Sequence, residues 1–163
     1  MADYTLTDYT LTDYILRTLL ATLPSVAFAL LFHVPVRCLG WCAAGGALTW
    51  GLRMILMREF DLGIVTATFI SVTVMSLCFI GISPRIRVPR PVFTVASIIP
   101  IIPGRNAYMT LLSAIQIYDS TGSRLQEIES FCLNGITTGA IMLAMGAGIA
   151  LPPLFFYRKR PVV

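Results

Sequence analysis

PVFTVASIIPIIPGRNAYMTLLSAIQIY, Pro91 to Tyr118, is a run of 28 residues with a single charge, Arg105, and it is broken in its middle by Pro100, Pro103 and Gly104. A helix needs roughly 20 residues to cross a hydrocarbon core about 30 Å thick, so the run has the length of a membrane crossing. Its punctuation sets it apart from an ordinary one. Proline has no amide hydrogen, so Pro100 and Pro103 free the carbonyls of Ala96 and Ile99, and Gly104 permits a sharp change of direction. In lipid, non-helical backbone survives only where it is buried in protein or lines a wet cavity. A crossing interrupted at mid-depth therefore reads as a binding site at the bilayer midplane.

The rest of the chain supports a life in lipid. Of 163 residues, 56% are hydrophobic and 12% charged, and the charges gather between long apolar runs. Four further segments have crossing length: Tyr14 to Phe32 with only Arg17, Cys38 to Met57 with only Arg53, and Leu62 to Pro84 and Ser130 to Tyr157 with no charge. The expected fold is an all-α membrane protein of five transmembrane helices, the fourth broken at Pro100–Gly104. It divides into an exposed acidic tail (residues 1–13), one helical membrane domain (14–157) and a basic tail (158–163).

If all five segments cross, the loops alternate sides. One side receives Arg17, Arg58 and Arg124 with all eight acidic residues: Asp3, Asp8, Asp13, Glu59, Asp61, Asp119, Glu127 and Glu129. The other receives seven basic residues, Arg37, Arg85, Arg87, Arg90, Arg158, Lys159 and Arg160. Positive charge marks the cytoplasmic face, which puts the N-terminus outside and the C-terminus inside. A re-entrant fourth segment would divide the basic residues evenly and leave the bias unexplained.

Other features read more plainly. The tail DYTLTDYTLTDYILR repeats a five-residue unit and is acidic until Arg17, unlike a cleaved leader. Cys38, Cys42, Cys78 and Cys132 are scattered and His33 is the only histidine, so the cysteines are expected as small buried helix residues and no metal or other cofactor is implied. Gly135, Gly139, Ala140, Ala144 and Gly148, with the cluster Ala43 to Ala47, predict close helix packing. No paired carboxylates or nucleophile–base set lies at one depth, which argues against an enzyme.

The candidate binding residues gather around the break. A second half-helix starting there leaves the amides of Gly104, Arg105 and Asn106 facing a cavity, and a helix N-terminus beside a guanidinium suits a carboxylate. Pro103 precedes them; Tyr108 and Ser113 follow on the same half-helix, and Asn134, Thr137 and Thr138 are expected opposite, on the last helix. Arg53 either snorkels outward or pairs with Glu59 or Asp61, or it is a cation lining the external vestibule. No Asp or Glu lies inside any apolar segment, and His33 sits at the expected cytoplasmic end of the first helix.

HVPVRCLGWC (His33 to Cys42), GLRMILM (Gly51 to Met57), VFTVASIIPIIPGRNAYMTLLSAI (Val92 to Ile115) and the terminal YRKRP resemble the YjjB-like small subunits of the threonine/serine exporter (ThrE) superfamily. The most specific element is Pro100, Pro103, Gly104 and Tyr108 in the pattern P-x-x-P-G-x-x-x-Y. The resemblance implies a bacterial inner-membrane protein that works with a YjjP-like larger membrane subunit in export of succinate, while single-chain relatives export threonine and serine. It also implies that Pro103, Gly104 and Tyr108 line the substrate path; Arg105 is outside its pattern. The orientation is tested by single cysteines in a chain cleared of its native ones. An impermeant maleimide should label Asp61→Cys in intact cells and Arg37→Cys only after permeabilisation, and labelling of both from outside would remove the assignment.

Overall fold

Each long uncharged stretch becomes a helix, because a backbone in lipid can satisfy its amides and carbonyls only internally. The computed structural model describes residues 11–86, 88–119 and 124–157. Its helices are α1 (Leu11–Leu31), α2 (Leu39–Glu59), α3 (Ile64–Ile86), α4 (Arg90–Ile98), α5 (Gly104–Asp119) and α6 (Arg124–Tyr157), with short 3-10 turns at Val36–Cys38 and Ile99–Ile101. Every regular element among the described residues is helical. The first ten residues of the repeat tail and the basic tail 158–163 lie outside the described residues.

Among the described residues three helices are long and apolar enough to cross a membrane: Thr12–Leu31 of α1, Ile64–Pro84 of α3 and Arg124–Phe156 of α6. The other two expected crossings differ in kind. α2 has the length, 21 residues, but carries glycine, threonine and arginine along its middle. It can do so because it packs against α1, α3 and α4 and leaves only a stripe with Trp41, Leu48 and Ile55 exposed. α4 and α5 are each shorter than a crossing, at 9 and 16 residues, and the irregular stretch between them ends one and begins the other.

Packing runs through two centres. α4 lies on α2 and also touches α1 and α3, and its inward face buries Phe93, Thr94, Ala96 and Ser97. Phe93 stacks on Phe79 of α3 with ring centroids 5.4 Å apart. At the other centre, α6 packs its N-terminal half on α5 and its C-terminal half on α3. Ser76 of α3 donates to the Ile149 carbonyl of α6 at 3.3 Å.

Small residues make these approaches possible. A Cβ on Gly45 would overlap Ser97 Oγ, and one on Gly46 would overlap Ser25 Oγ. A Cβ on Gly148 would come within 2.9 Å of Val72 Cγ1 and 3.2 Å of the Phe69 carbonyl. Two cysteine expectations are corrected: Cys38 and Cys42 are buried, but Cys78 and Cys132 are exposed on the outside of the bundle. A thiol is apolar enough to face lipid, so hydropathy alone does not distinguish the two positions.

Removing that space should cost stability where backbones meet and nothing where they do not. Gly46→Val is expected to destabilise the detergent-solubilised chain by about 1–3 kcal/mol through overpacking. Gly139→Ala, where a Cβ meets nothing within 4 Å, should leave it within about 0.5 kcal/mol. Thermal unfolding followed by tryptophan fluorescence measures both.

Candidate functional site

The site is the interruption between α4 and α5, and it begins with a problem of orphaned carbonyls. A helix end leaves up to four C=O groups without intrahelical partners, and prolines at 100 and 103 prevent simple continuation. Part of the answer is local. Ile102 N donates to the Ile99 carbonyl at 3.3 Å, Gly104 N to the Ile102 carbonyl at 2.8 Å, and Ala107 N to the Pro103 carbonyl at 3.0 Å, which starts α5.

Two further carbonyls are taken by α2, which runs parallel to α4. Thr49 Oγ1 lies 2.8 Å from the Ser97 carbonyl, with its own-helix carbonyls at Gly45 and Gly46 at 3.0 and 3.1 Å as alternatives for the same proton. One turn further on, Arg53 Nη1 donates to the Ile101 carbonyl at 3.0 Å. The guanidinium carbon stands 5.2 Å from the centroid of the Trp50 ring, within cation–π range. Gly45, Thr49 and Arg53 are four residues apart, so they form one stripe of α2 facing the end of α4. Gly45 admits α4, Thr49 holds its last turn, and Arg53 holds the 3-10 turn beyond it.

These contacts correct several expectations. Arg53 reaches neither Glu59 nor Asp61 for its recorded hydrogen bond; it points across to the broken backbone. The Ile99 carbonyl, expected free, is taken by Ile102 N. The Gly104 amide, expected to face a cavity, is engaged by the Ile102 carbonyl. Gly104 has no left-handed φ. The chain changes direction at Ile102 instead, whose φ of −56° and ψ of 131° are the extended values favoured before a proline. What Gly104 supplies is space, since a Cβ there would meet nothing within 4 Å.

The other candidate residues divide. Pro103 is buried at the break, Asn106 half-buried in the first turn of α5, and Gly104, Arg105 and Tyr108 exposed. Ser113 is buried. Asn134 Nδ2 donates to its own-helix carbonyl at Ser130, 2.8 Å away, and Thr137 and Thr138 bond back to Leu133 and Asn134. α5 and α6 form an antiparallel hairpin in which Gly135 faces Thr110. Asn134 is therefore level with Leu111, about 10 Å along α5 from Gly104, and is not brought to the break.

His33 has a different task. It ends α1 with a φ of 56°, its amide bonding to Leu30 and that of Val34 to Ala29 at 3.0 and 2.9 Å. That is the pairing of a Schellman cap, with histidine in the left-handed position usually held by glycine. A hollow of about 260 Å³ lies there, lined by Phe32, His33, Val34, Pro35, Pro91, Val92 and Val95. It is at the start of α4, the opposite end from Pro103.

Among the described residues, a helical bundle with membrane-length apolar helices, and an interruption whose carbonyls are bonded by side chains of a neighbouring helix, is the build of a membrane protein. The chain belongs to the threonine/serine exporter family: the family model described as threonine/serine exporter, ThrE, matches residues 17–155. No solved structure matches it.

Two substitutions test the clamp and the cap. Arg53→Met leaves the Ile101 carbonyl without a donor and should destabilise the chain by about 1–3 kcal/mol in thermal unfolding, with Arg53→Lys recovering part of the loss. His33→Gly relieves the left-handed position and should raise the unfolding temperature with activity retained. Loss of activity in His33→Gly would instead make the imidazole part of the transport cycle.

Proposed function

We propose that the chain is one subunit of an exporter that moves small carboxylate metabolites, succinate foremost, out of the cell across the bacterial inner membrane, together with a YjjP-like larger membrane subunit. It crosses five times, N-terminus periplasmic and C-terminus cytoplasmic, and α4 with α5 is the interrupted fourth crossing. The support is the break itself: irregular backbone at Ile99–Pro103, its Ile101 carbonyl held by an arginine, followed at once by an exposed helix start. The family match agrees with transport as the task.

The chemistry of the break suits a carboxylate. The Arg105 and Asn106 amides occupy first-turn positions of α5, where a helix has no intrahelical acceptor to offer. The positive end of the α5 dipole adds to them. Arg53 gives one of its five N–H donors to Ile101 and keeps the others for an anion that enters beside the turn. Pro103, Gly104 and Tyr108 line the approach, and the bare Gly104 lets cargo reach the backbone. A partner half of the same fold in the opposite orientation would set two such breaks face to face, the inverted-repeat arrangement of secondary transporters.

Threonine and serine are the second reading, because the family is described by them. They share the carboxylate and add an ammonium, which needs an acceptor. No Asp or Glu lies in the apolar segments here, so that acceptor would come from the partner.

Gly104→Val, which covers the first-turn amides, and Asn106→Ala, which removes the side-chain amide beside them, are expected to leave the complex assembled and to reduce export by about tenfold or more, the scale of losing a hydrogen bond to a charged group. Efflux of labelled succinate and labelled threonine, from cells with and without this chain, distinguishes the cargoes. Export unchanged by both variants would remove the site from the break.

A further inference from the structure

Arg105 stands at the head of a face that the rest of the chain leaves uncovered. Its depth follows from the α5–α6 hairpin. Thr110 faces Gly135 in an antiparallel pair, so Arg105, five residues before Thr110, is level with Ala140, five after Gly135. That is about 16 Å along α6 from Glu129, near the middle of a hydrocarbon core. Among the described residues the Arg105 guanidinium has no hydrogen-bond or ion-pair partner, and it is exposed.

The face continues from there. Tyr108, Leu111, Ile115 and Tyr118 follow at helical spacing and are 61, 66, 59 and 88% exposed. The substantial packing of α5 is against α6, so this stripe has no cover from α1 to α4. An arginine at such depth does not face hydrocarbon; it faces protein or a wet cavity and is paired. Apolar side chains along the remainder of the stripe favour protein.

Arg53 is met by a carbonyl that a break has released, whereas the carbonyls of an unbroken covering helix are spent within it, so the cover for Arg105 brings a carboxylate, and a second copy of this chain has none to bring at that depth. All eight carboxylates, Asp3, Asp8, Asp13, Glu59, Asp61, Asp119, Glu127 and Glu129, lie outside the apolar segments, so a copy in either orientation meets Arg105 with uncharged helix.

We propose that the Arg105–Tyr118 face of α5 is the docking surface for a membrane helix of a different chain, which carries an Asp or Glu at the depth of Arg105 and pairs with its guanidinium. This rests on the reading of α4 and α5 as one crossing of a two-subunit exporter, and it gives Arg105 to the partner and the break to the cargo. A planar guanidinium matches a carboxylate in two parallel hydrogen bonds, which fixes orientation as well as affinity. Removing one member leaves a buried charge without compensation.

The test is charge reversal with the larger subunit co-expressed and this chain tagged. Arg105→Glu should reduce the co-purified larger subunit about tenfold or more, with helix content by circular dichroism unchanged because the residue is exposed in the isolated chain. Arg105→Lys should retain over half of it, roughly, since the charge remains. Changing one intramembrane Asp or Glu of the larger subunit to Arg should restore binding of the Arg105→Glu chain. A wild-type yield of complex with Arg105→Glu overturns the proposal, and if export is lost in that intact complex the guanidinium serves cargo instead. A photocrosslinking amino acid in place of Tyr108 that joins two copies of this chain overturns it as well. Failure of the Gly104 and Asn106 variants to affect export would remove the transport site while leaving the docking result standing.

Discussion

The hydrogen bond from Arg53 to the Ile101 carbonyl, 3.0 Å long, is the contact on which the arrangement of this chain depends. A helix can be interrupted in lipid only if the carbonyls it releases find donors, since each unsatisfied group costs several kcal/mol in hydrocarbon. Here the donors come from the next helix. Thr49 and Arg53 stand one turn apart on α2 and take the last turn of α4 and the 3-10 turn that follows. α2 consequently has to be polar where a crossing helix is normally apolar. It tolerates this by turning those residues toward α1, α3 and α4, at an approach that Gly45 and Gly46 make close.

The same constraint explains why the two halves of the broken element differ. α4 is fixed on three sides and buries its polar residues as well as its apolar ones, so it belongs to the α1–α3 bundle. α5 leaves that bundle and leans on α6. The interruption is thus also the junction between two packing units, which are otherwise joined along α3 and α6. A charge at the centre of a crossing helix costs about 2.5–3.5 kcal/mol on insertion scales. Arg53 offsets that cost with a carbonyl and the face of Trp50 inside the chain. Arg105 has no such offset within the described residues.

Much of the fold was legible because hydropathy and charge act locally. The apolar segments became α1, α2, α3 and α6 with ends displaced by a few residues, and the Pro100–Pro103–Gly104 stretch ended one helix and began another. The break was legible in part. Its place in the chain followed from proline chemistry, but Thr49 and Ser97 went unnoticed, although the spacing of Gly45, Thr49 and Arg53 is visible as a stripe. Asn134 does lie across from α5, as its place on the last helix led one to expect, but its level along α5, beside Leu111 rather than the break, is set only by the packing of the two helices.

The sequence by itself determined that this is a helical membrane protein of the threonine/serine exporter family, with one apolar element interrupted at Pro100 to Gly104, because burial in lipid and the missing amides of proline are properties of residues taken singly. The tertiary structure decided which groups satisfy the interruption and which stay exposed. Arg53 and Arg105 look alike in the sequence, each a lone cation in an apolar run; one folds onto a carbonyl and the other faces outward, since pairing depends on what a neighbouring helix presents at the same depth.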